Sequence, residues 1–260
     1  MKTNIVSVGN IKFGGKKIIL IAGPCSIDSE ESLLETAIKV KKVGATVLRG
    51  DAFKPRTDPD SFQGLGLEGL KILNNVRKKI SIPIITEIID SKDINIITKH
   101  CDIIKIGTRN MQNFSLLKEV GRINKPVILK RGFGNTIKEL LSAAKYIEKE
   151  GNNSIILCER GIRTFETSTR FTFDVTAIPK IKELCNFPVI ADPSHATGQK
   201  NLVEPISLAA IAAGADGLLI EVHTDPEKSL SDSAQTISTK DFERLVRKIK
   251  AVAHALGREL

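Results

Sequence analysis

Tryptophan is absent from this chain and tyrosine occurs once, while phenylalanine supplies ten residues. A surface that stacks nucleic-acid bases needs exposed aromatic faces, so base stacking is disfavoured and the core must be mainly aliphatic. The four cysteines, Cys25, Cys101, Cys158 and Cys185, are widely separated and form no C-x-x-C pair. Neither a disulfide framework nor a structural zinc knuckle is indicated. No uncharged run reaches the length of a membrane span, and MKTNIVSVGNIKFGGKK lacks the apolar segment of a signal peptide. We therefore expect a cytoplasmic protein without a membrane partner. Walker and dinucleotide motifs are also missing, because GLGLEG at residues 64–69 follows KPRTDPDSFQ instead of a strand and reads as a helix entry.

The chain does have an excess of positive charge: 39 Lys and Arg face 30 Asp and Glu, a net +9. The lysines are spread along helical stretches and many arginines stand near strand ends. That placement suits small anionic substrates better than nucleic acid. With 41% hydrophobic residues in 260, the chain can fill one large α/β core or two ordinary ones, and no Pro/Gly/Ser-rich linker divides it. We expect residues 1–16, containing VGNIKFGG, to form a hairpin extension, and residues 17–260 to form the catalytic unit.

Eight branched apolar runs recur at roughly 30-residue intervals. They are KIILIAG from Lys17, TVLRG from Thr46, PIITEI from Pro83, DIIKIG from Asp102, PVILKRG from Pro126, SIILCERG from Ser154, FPVIAD from Phe187 and GLLIEVH from Gly217. Near-continuous apolar character fits parallel strands covered on both faces. Helical patterns such as NTIKELLSAAKYIEKEG separate them. The expected fold is a (β/α)₈ TIM barrel with a short N-terminal β-hairpin; an open doubly wound sheet is the alternative.

In such a barrel the C-terminal strand ends face one shared site. Those ends carry Cys25, Arg49, Asp51, Glu87, Lys105, Arg109, Lys130, Arg131, Glu159, Arg160, Asp192, His195, Glu221 and His223, with Lys54, Arg56 and Asp232 in adjoining loops. Cys25, His195 and Glu221 lie on strands one, seven and eight, which are neighbours once the barrel closes, and Asp232 can complete a mixed S/N/O divalent-metal site. Core packing is the competing reading for Cys25, and a loop hydrogen bond for His195. KPRT, residues 54–57, and the set Arg109, Lys130 and Arg160 suggest two anion pockets. Asp51 and Glu87 are expected to orient neighbouring cations. Arg131 is expected outside the barrel, Cys101 and Cys185 in packing roles, Cys158 inside, and His100 and His254 at exposed or capping positions. For His223, supporting the site and a simple loop contact are both open.

GPCS (23–26), LRGDAFKPRT (48–57), SFQG (61–64), IGTRNMQNF (106–114), LKRG (129–132), LCERGIRTFE (157–166), DPSHATG (192–198) and EVHTDPEKSLSD (221–232) together resemble the 3-deoxy-D-arabino-heptulosonate 7-phosphate (DAHP) synthases, in their compact type I beta subgroup. The resemblance covers nearly the whole chain. It implies a metal-dependent, aldol-like condensation of phosphoenolpyruvate with erythrose 4-phosphate that releases phosphate, the first step of the shikimate pathway. It also implies Cys25, His195, Glu221 and Asp232 as ligands of one divalent ion per subunit (Mn, Zn, Co or Fe). Arg49, Lys54, Arg109, Lys130 and Arg160 match the phosphoenolpyruvate environment, Arg56 and Thr57 match the aldose-phosphate site, and Lys54 is the candidate catalytic proton donor or carbonyl orienter. A homo-oligomer, dimer or tetramer, is implied as well, acting as a stand-alone barrel without an appended regulatory module.

The chain departs from that pattern at Asp58 and Asp60, expected to face solvent or a neighbouring subunit, and at Thr108 and Lys105, where alanine and glutamine are usual. Lys105 is expected either to contact phosphate or to alter substrate preference. Competing activities are 3-deoxy-D-manno-octulosonate 8-phosphate synthesis, which KPRT disfavours, a Schiff-base aldolase using Lys130, and a nonenzymatic phosphate-binding barrel.

Overall fold

The computed structural model describes residues 3–260, so the first two positions of the expected 1–16 extension lie outside the described residues. Gly9, at φ 58°, opens the two-residue turn joining β1 (Val6–Val8) to β2 (Ile11–Phe13), an antiparallel hairpin in which Val6 faces Phe13. The eight apolar runs then form β3 (Ile19–Gly23), β4 (Val47–Arg49), β5 (Ile84–Ile88), β6 (Ile103–Ile106), β7 (Val127–Lys130), β8 (Ile155–Glu159), β9 (Val189–Ala191) and β10 (Gly217–His223). They pair in parallel in chain order. β10 bonds to β9 through Gly217 and Leu218 and to β3 through residues 217–221. This double pairing closes the ring and rules out the open sheet. A short strand, β11 (Ile237–Ser238), lies outside the ring on the end of β10.

Helices α1 (Glu30–Val43), α2 (Leu67–Ile80), α3 (Ile94–His100), α4 (Phe114–Gly121), α5 (Ile137–Lys149), α6 (Ala177–Leu184), α7 (Pro193–Thr197), α8 (Lys200–Ala212) and α9 (Thr239–Ala255) follow the strands. Their starts are set locally: Ser29, Thr136 and Ser238 each accept a hydrogen bond from a backbone N–H of the first turn, and Thr136 forms a reciprocal capping box with Glu139. Successive side chains along each strand point to opposite sides of the wall. Leu20, Leu48, Ile84, Ile104, Leu129, Leu157, Val189 and Leu218 pack outward against the helices. Ile19, Ile21, Val47, Ile85, Ile103, Ile128, Ile156, Ile190 and Leu219 form a separate inner cluster with Val6, Val8 and Phe13 of the hairpin. Cys101 belongs to the outer core, Cys185 packs beside it and Cys158 lies in the inner cluster, as their positions in the sequence suggest.

Candidate active site

One step of two residues along most strands changes the interior from apolar to charged. Val47 leads to Arg49, Ile85 to Glu87, Ile103 to Lys105, Ile128 to Lys130, Ile190 to Asp192 and Leu219 to Glu221, and all six of these polar residues are buried. This layer floors a cleft of about 190 Å³, lined by Lys54, Arg56, Arg109, Lys130, Arg160 and Arg170 together with Thr57, Glu87, His195, Asp232 and Phe133. Six cations around one opening favour an anionic ligand. Phosphate and carboxylate groups fit that field.

At one side of the cleft Cys25, His195, Glu221 and Asp232 converge, each offering an atom within 4.8 Å of the others. Local backbone geometry puts them there. Gly23 sits at φ 148°, where an added Cβ would lie 2.2 Å from the Arg49 carbonyl oxygen, so glycine allows β3 to end tightly against β4 before Pro24 and Cys25. Asp192 caps α7 by accepting from the His195 backbone N–H at 2.9 Å, which places His195 on the first turn beyond β9. Asp232 takes a left-handed φ of 54°, a conformation that aspartate tolerates better than most residues.

The polar contacts support a cation at this point. The Cys25 thiol donates to Asp232 Oδ2 at 2.9 Å and accepts from the Lys54 ammonium. Glu221 Oε2 accepts from Gln235 at 2.6 Å. Its Oε1 is buried without a hydrogen bond, 3.2 Å from His195 Nε2 and 3.1 Å from Arg49. His195 Nδ1 lies 2.8 Å from Asp192 Oδ2, leaving Nε2 directed at the cluster, although the alignment falls short of a hydrogen bond. Burial, then the Glu221 carboxylate, pushes the Cys25 thiol up, and burial pushes His195 down to about 4. Burial would raise Asp232, but the Lys54 ammonium, His195, the Cys25 hydrogen bond and Arg170 together outweigh it and hold that carboxyl well below its usual range. A neutral imidazole, a carboxylate with one free oxygen and a sulfur are the donors that a divalent transition metal takes, and metal coordination would offset the penalty on the thiolate.

Thr57, exposed, accepts a hydrogen bond from Arg109 at 2.8 Å, tying KPRT to the end of β6. Lys54 is buried and lies 3.2 Å from Asp232. Lys130 donates to Asp192 at 2.5 Å and lies on the wall of the cleft. Arg160 stacks over Phe171 at 3.9 Å; burial lowers it to about 10, and its Nε and one terminal nitrogen have no partner. Arg49 is 1% exposed and is not among the residues that line the cleft.

Several expectations change. Arg131 is buried inside an ion network, 2.8 Å from Glu159 and 2.9 Å from Asp174, because β8 and its following loop bring both carboxylates over it. Lys105 does not line the cleft; its ammonium is taken up by Asp51 and Glu87. For His223, left open between supporting the site and a simple loop contact, the partners are Asp28 at 3.0 Å and Ser32 at 2.9 Å, and it is not one of the four clustered residues. His100 is partly buried with an unpartnered Nδ1, whereas His254 is exposed as expected. Asp58 and Asp60 are exposed, and Asp58 accepts from the Asp60 backbone at 3.1 Å, although Asp58 also borders the mouth of the cleft.

Strand-end reasoning missed Arg170 and Gln235. Arg170 lies 3.6 Å from Asp232 and donates to Gln235 at 3.1 Å, and Gln235 in turn holds Glu221. Both stand in loops more than ten residues beyond the barrel strands that precede them, β8 ending at Glu159 and β10 at His223. The only signal for Arg170 was the arginine-bearing stretch RTFETSTR.

The DAHP synthetase I family pattern matches residues 3–257. The chain belongs to that family. It is 49% identical over 253 residues to phospho-2-dehydro-3-deoxyheptonate aldolase of Thermotoga maritima, covering 97% of this chain and 75% of that protein. A crystal structure of that Thermotoga maritima enzyme superimposes with a TM-score of 0.96 at 47% identity, covering 99% of this chain and 75% of the other. The truncated form of the Thermotoga maritima synthase gives 0.94 at 46% identity, covering 99% and 95%. A second family branch is also similar: 2-dehydro-3-deoxyphosphooctonate aldolase of Geobacter sulfurreducens is 33% identical over 269 residues, covering 96% of this chain and 98% of that one.

Proposed function

We propose that this DAHP synthase family member condenses phosphoenolpyruvate with D-erythrose 4-phosphate and releases phosphate, the first step of the shikimate pathway. The observation that carries the reading is the S/N/O cluster opening into a cleft ringed by six cations, in a chain 49% identical to a phospho-2-dehydro-3-deoxyheptonate aldolase. A divalent ion held by Cys25, His195, Glu221 and Asp232 would polarise the aldehyde of the aldose phosphate.

The remaining chemistry falls to the chain's own residues. Lys130, Arg160 and Arg109, with Arg49 from below, hold the phosphate and carboxylate of phosphoenolpyruvate. Arg56 and Thr57 hold the aldose phosphate nearer the mouth. The C3 carbon of the enol then attacks the aldehyde carbon, and Lys54, next to the cluster, is placed to protonate the oxygen that gains charge. Positive charge develops at C2, water adds there, and loss of phosphate leaves the 2-keto product. The cations contribute by positioning and charge, without covalent attack.

A cytoplasmic homo-oligomer, dimer or tetramer, with residues 1–16 as a hairpin extension and 17–260 as the catalytic barrel, completes the proposal. Octulosonate 8-phosphate synthesis is the second reading, since relatives at 30–33% identity bear that name. Higher identity to the heptonate enzyme and the KPRT segment favour the four-carbon sugar. Product formation from erythrose 4-phosphate and arabinose 5-phosphate at equal concentration tests this. Heptulosonate product should predominate, and preferential use of the five-carbon sugar would overturn the assignment.

A further inference from the structure

At the floor of the cleft a row of alternating charge crosses the barrel: Glu221, Arg49, Asp51, Lys105 and Glu87, none more than 7% exposed. Its geometry is uneven. Lys105 Nζ grips both oxygens of Asp51, at 2.8 and 2.6 Å, and lies 3.3 Å from Glu87. Arg49 reaches Asp51 through one terminal nitrogen only, at 3.3 Å. That same nitrogen lies 3.1 Å from Glu221 and donates to the Cys25 carbonyl at 3.2 Å. The other two guanidinium nitrogens of Arg49 are buried without a partner.

A carboxylate beside a guanidinium ordinarily takes two parallel hydrogen bonds from it. Here Asp51 does not, because its oxygens are already occupied by Lys105 and, at 3.1 Å, by the Glu87 backbone N–H. Asp51 stands between two cations, 2.6 Å from Lys105 and 3.3 Å from Arg49, and its buried carboxylate needs at least one of them. Lys105 is thus a competitor for Asp51. It satisfies the carboxylate and leaves two Arg49 nitrogens free for a substrate anion.

We propose that Lys105 and Asp51 are a positioning pair that keeps Arg49 available to phosphoenolpyruvate. The inference rests on the proposed contact between Arg49 and that substrate. Without Lys105, Asp51 turns to Arg49 and engages its fork, removing the donors from the site.

The test compares Lys105→Gln, Asp51→Asn/Lys105→Gln and Arg49→Ala, using steady-state kinetics in both substrates, calorimetric binding of phosphoenolpyruvate and metal stoichiometry. Lys105→Gln should raise KM and Kd for phosphoenolpyruvate about tenfold while the KM for the aldose phosphate and the bound metal stay within about twofold. The double variant, having no carboxylate to capture Arg49, should return to within about threefold of the parent. An unchanged phosphoenolpyruvate KM in Lys105→Gln, an equal rise in both KM values, or a double variant no better than the single would overturn the pairing. If Lys105→Gln does not fold, the double variant decides alone: near-parent binding supports the pair and a tenfold loss refutes it. Arg49→Ala separates the two layers of argument. If it leaves phosphoenolpyruvate binding intact, the site reading fails; if it weakens binding while Lys105→Gln does not, only the positioning role fails.

Discussion

The lower and upper levels of the barrel interior share the same strands and differ in almost everything else. Below, Ile21, Val47, Ile85, Ile103, Ile128, Ile156, Ile190 and Leu219 close on one another and on Phe13. Above, one step of two residues along, the same walls carry Arg49, Glu87, Lys105, Lys130, Asp192 and Glu221. Burying apolar area stabilises the fold, whereas burying charge costs stability unless every group finds a partner. Fold and chemistry are therefore separated by about 6–7 Å along the strands. A change at either level should affect one property and spare the other.

The largest effect should come from the upper level. Cys25→Ala should lose metal and reduce turnover by about 100-fold or more, with far-UV dichroism and thermal midpoint little changed. Ile156→Ala, in the inner apolar cluster one step below, should retain metal and turnover and lose some stability. Metal analysis beside kinetics on both variants checks this, and full metal content in Cys25→Ala would reject its role as a ligand. Next comes Phe13→Ala, which removes a fully buried ring of the hairpin. It should cost about 3–5 kcal/mol in denaturant unfolding while kcat of the folded enzyme is unchanged. A large fall in kcat at low denaturant would mean that the two levels are coupled. The smallest effect belongs to the mouth: Arg56→Ala should raise the aldose-phosphate KM by about 10- to 100-fold and leave metal binding and phosphoenolpyruvate affinity alone. Lysine at this position should rescue only part of the loss, because it restores charge without the two-pronged geometry.

How far the sequence reveals these two levels depends on what each residue contacts. The strands were legible because each lies buried on both faces and so reads as an unbroken apolar run. Cys25, His195 and Glu221 were legible because they stand at strand ends or on the turn beyond, where barrel topology alone makes them neighbours. Arg131 was misplaced because its burial depends on Glu159 and on Asp174, a loop residue 43 positions away. Arg170 and Gln235 escaped for the same reason: loop course, not strand register, carries them to Asp232 and Glu221. Asp51 and Glu87 were legible as carboxylates that orient neighbouring cations, but that Lys105 is the cation they hold, instead of one that contacts substrate, depends on distances that no spacing rule contains.

The hairpin seals the lower end with Val6, Val8 and Phe13, each at most 7% exposed. On the proposed reading, both substrates and both products then share one doorway. On that reading the enol phosphate would lie with the deeper cations Lys130 and Arg160, 3% and 2% exposed, and the sugar phosphate with Arg56, whose side chain is 23% exposed. A sugar that arrived first would stand in the corridor of its partner. With the far end stoppered, that reading would impose a queue, with phosphoenolpyruvate entering ahead of the aldose.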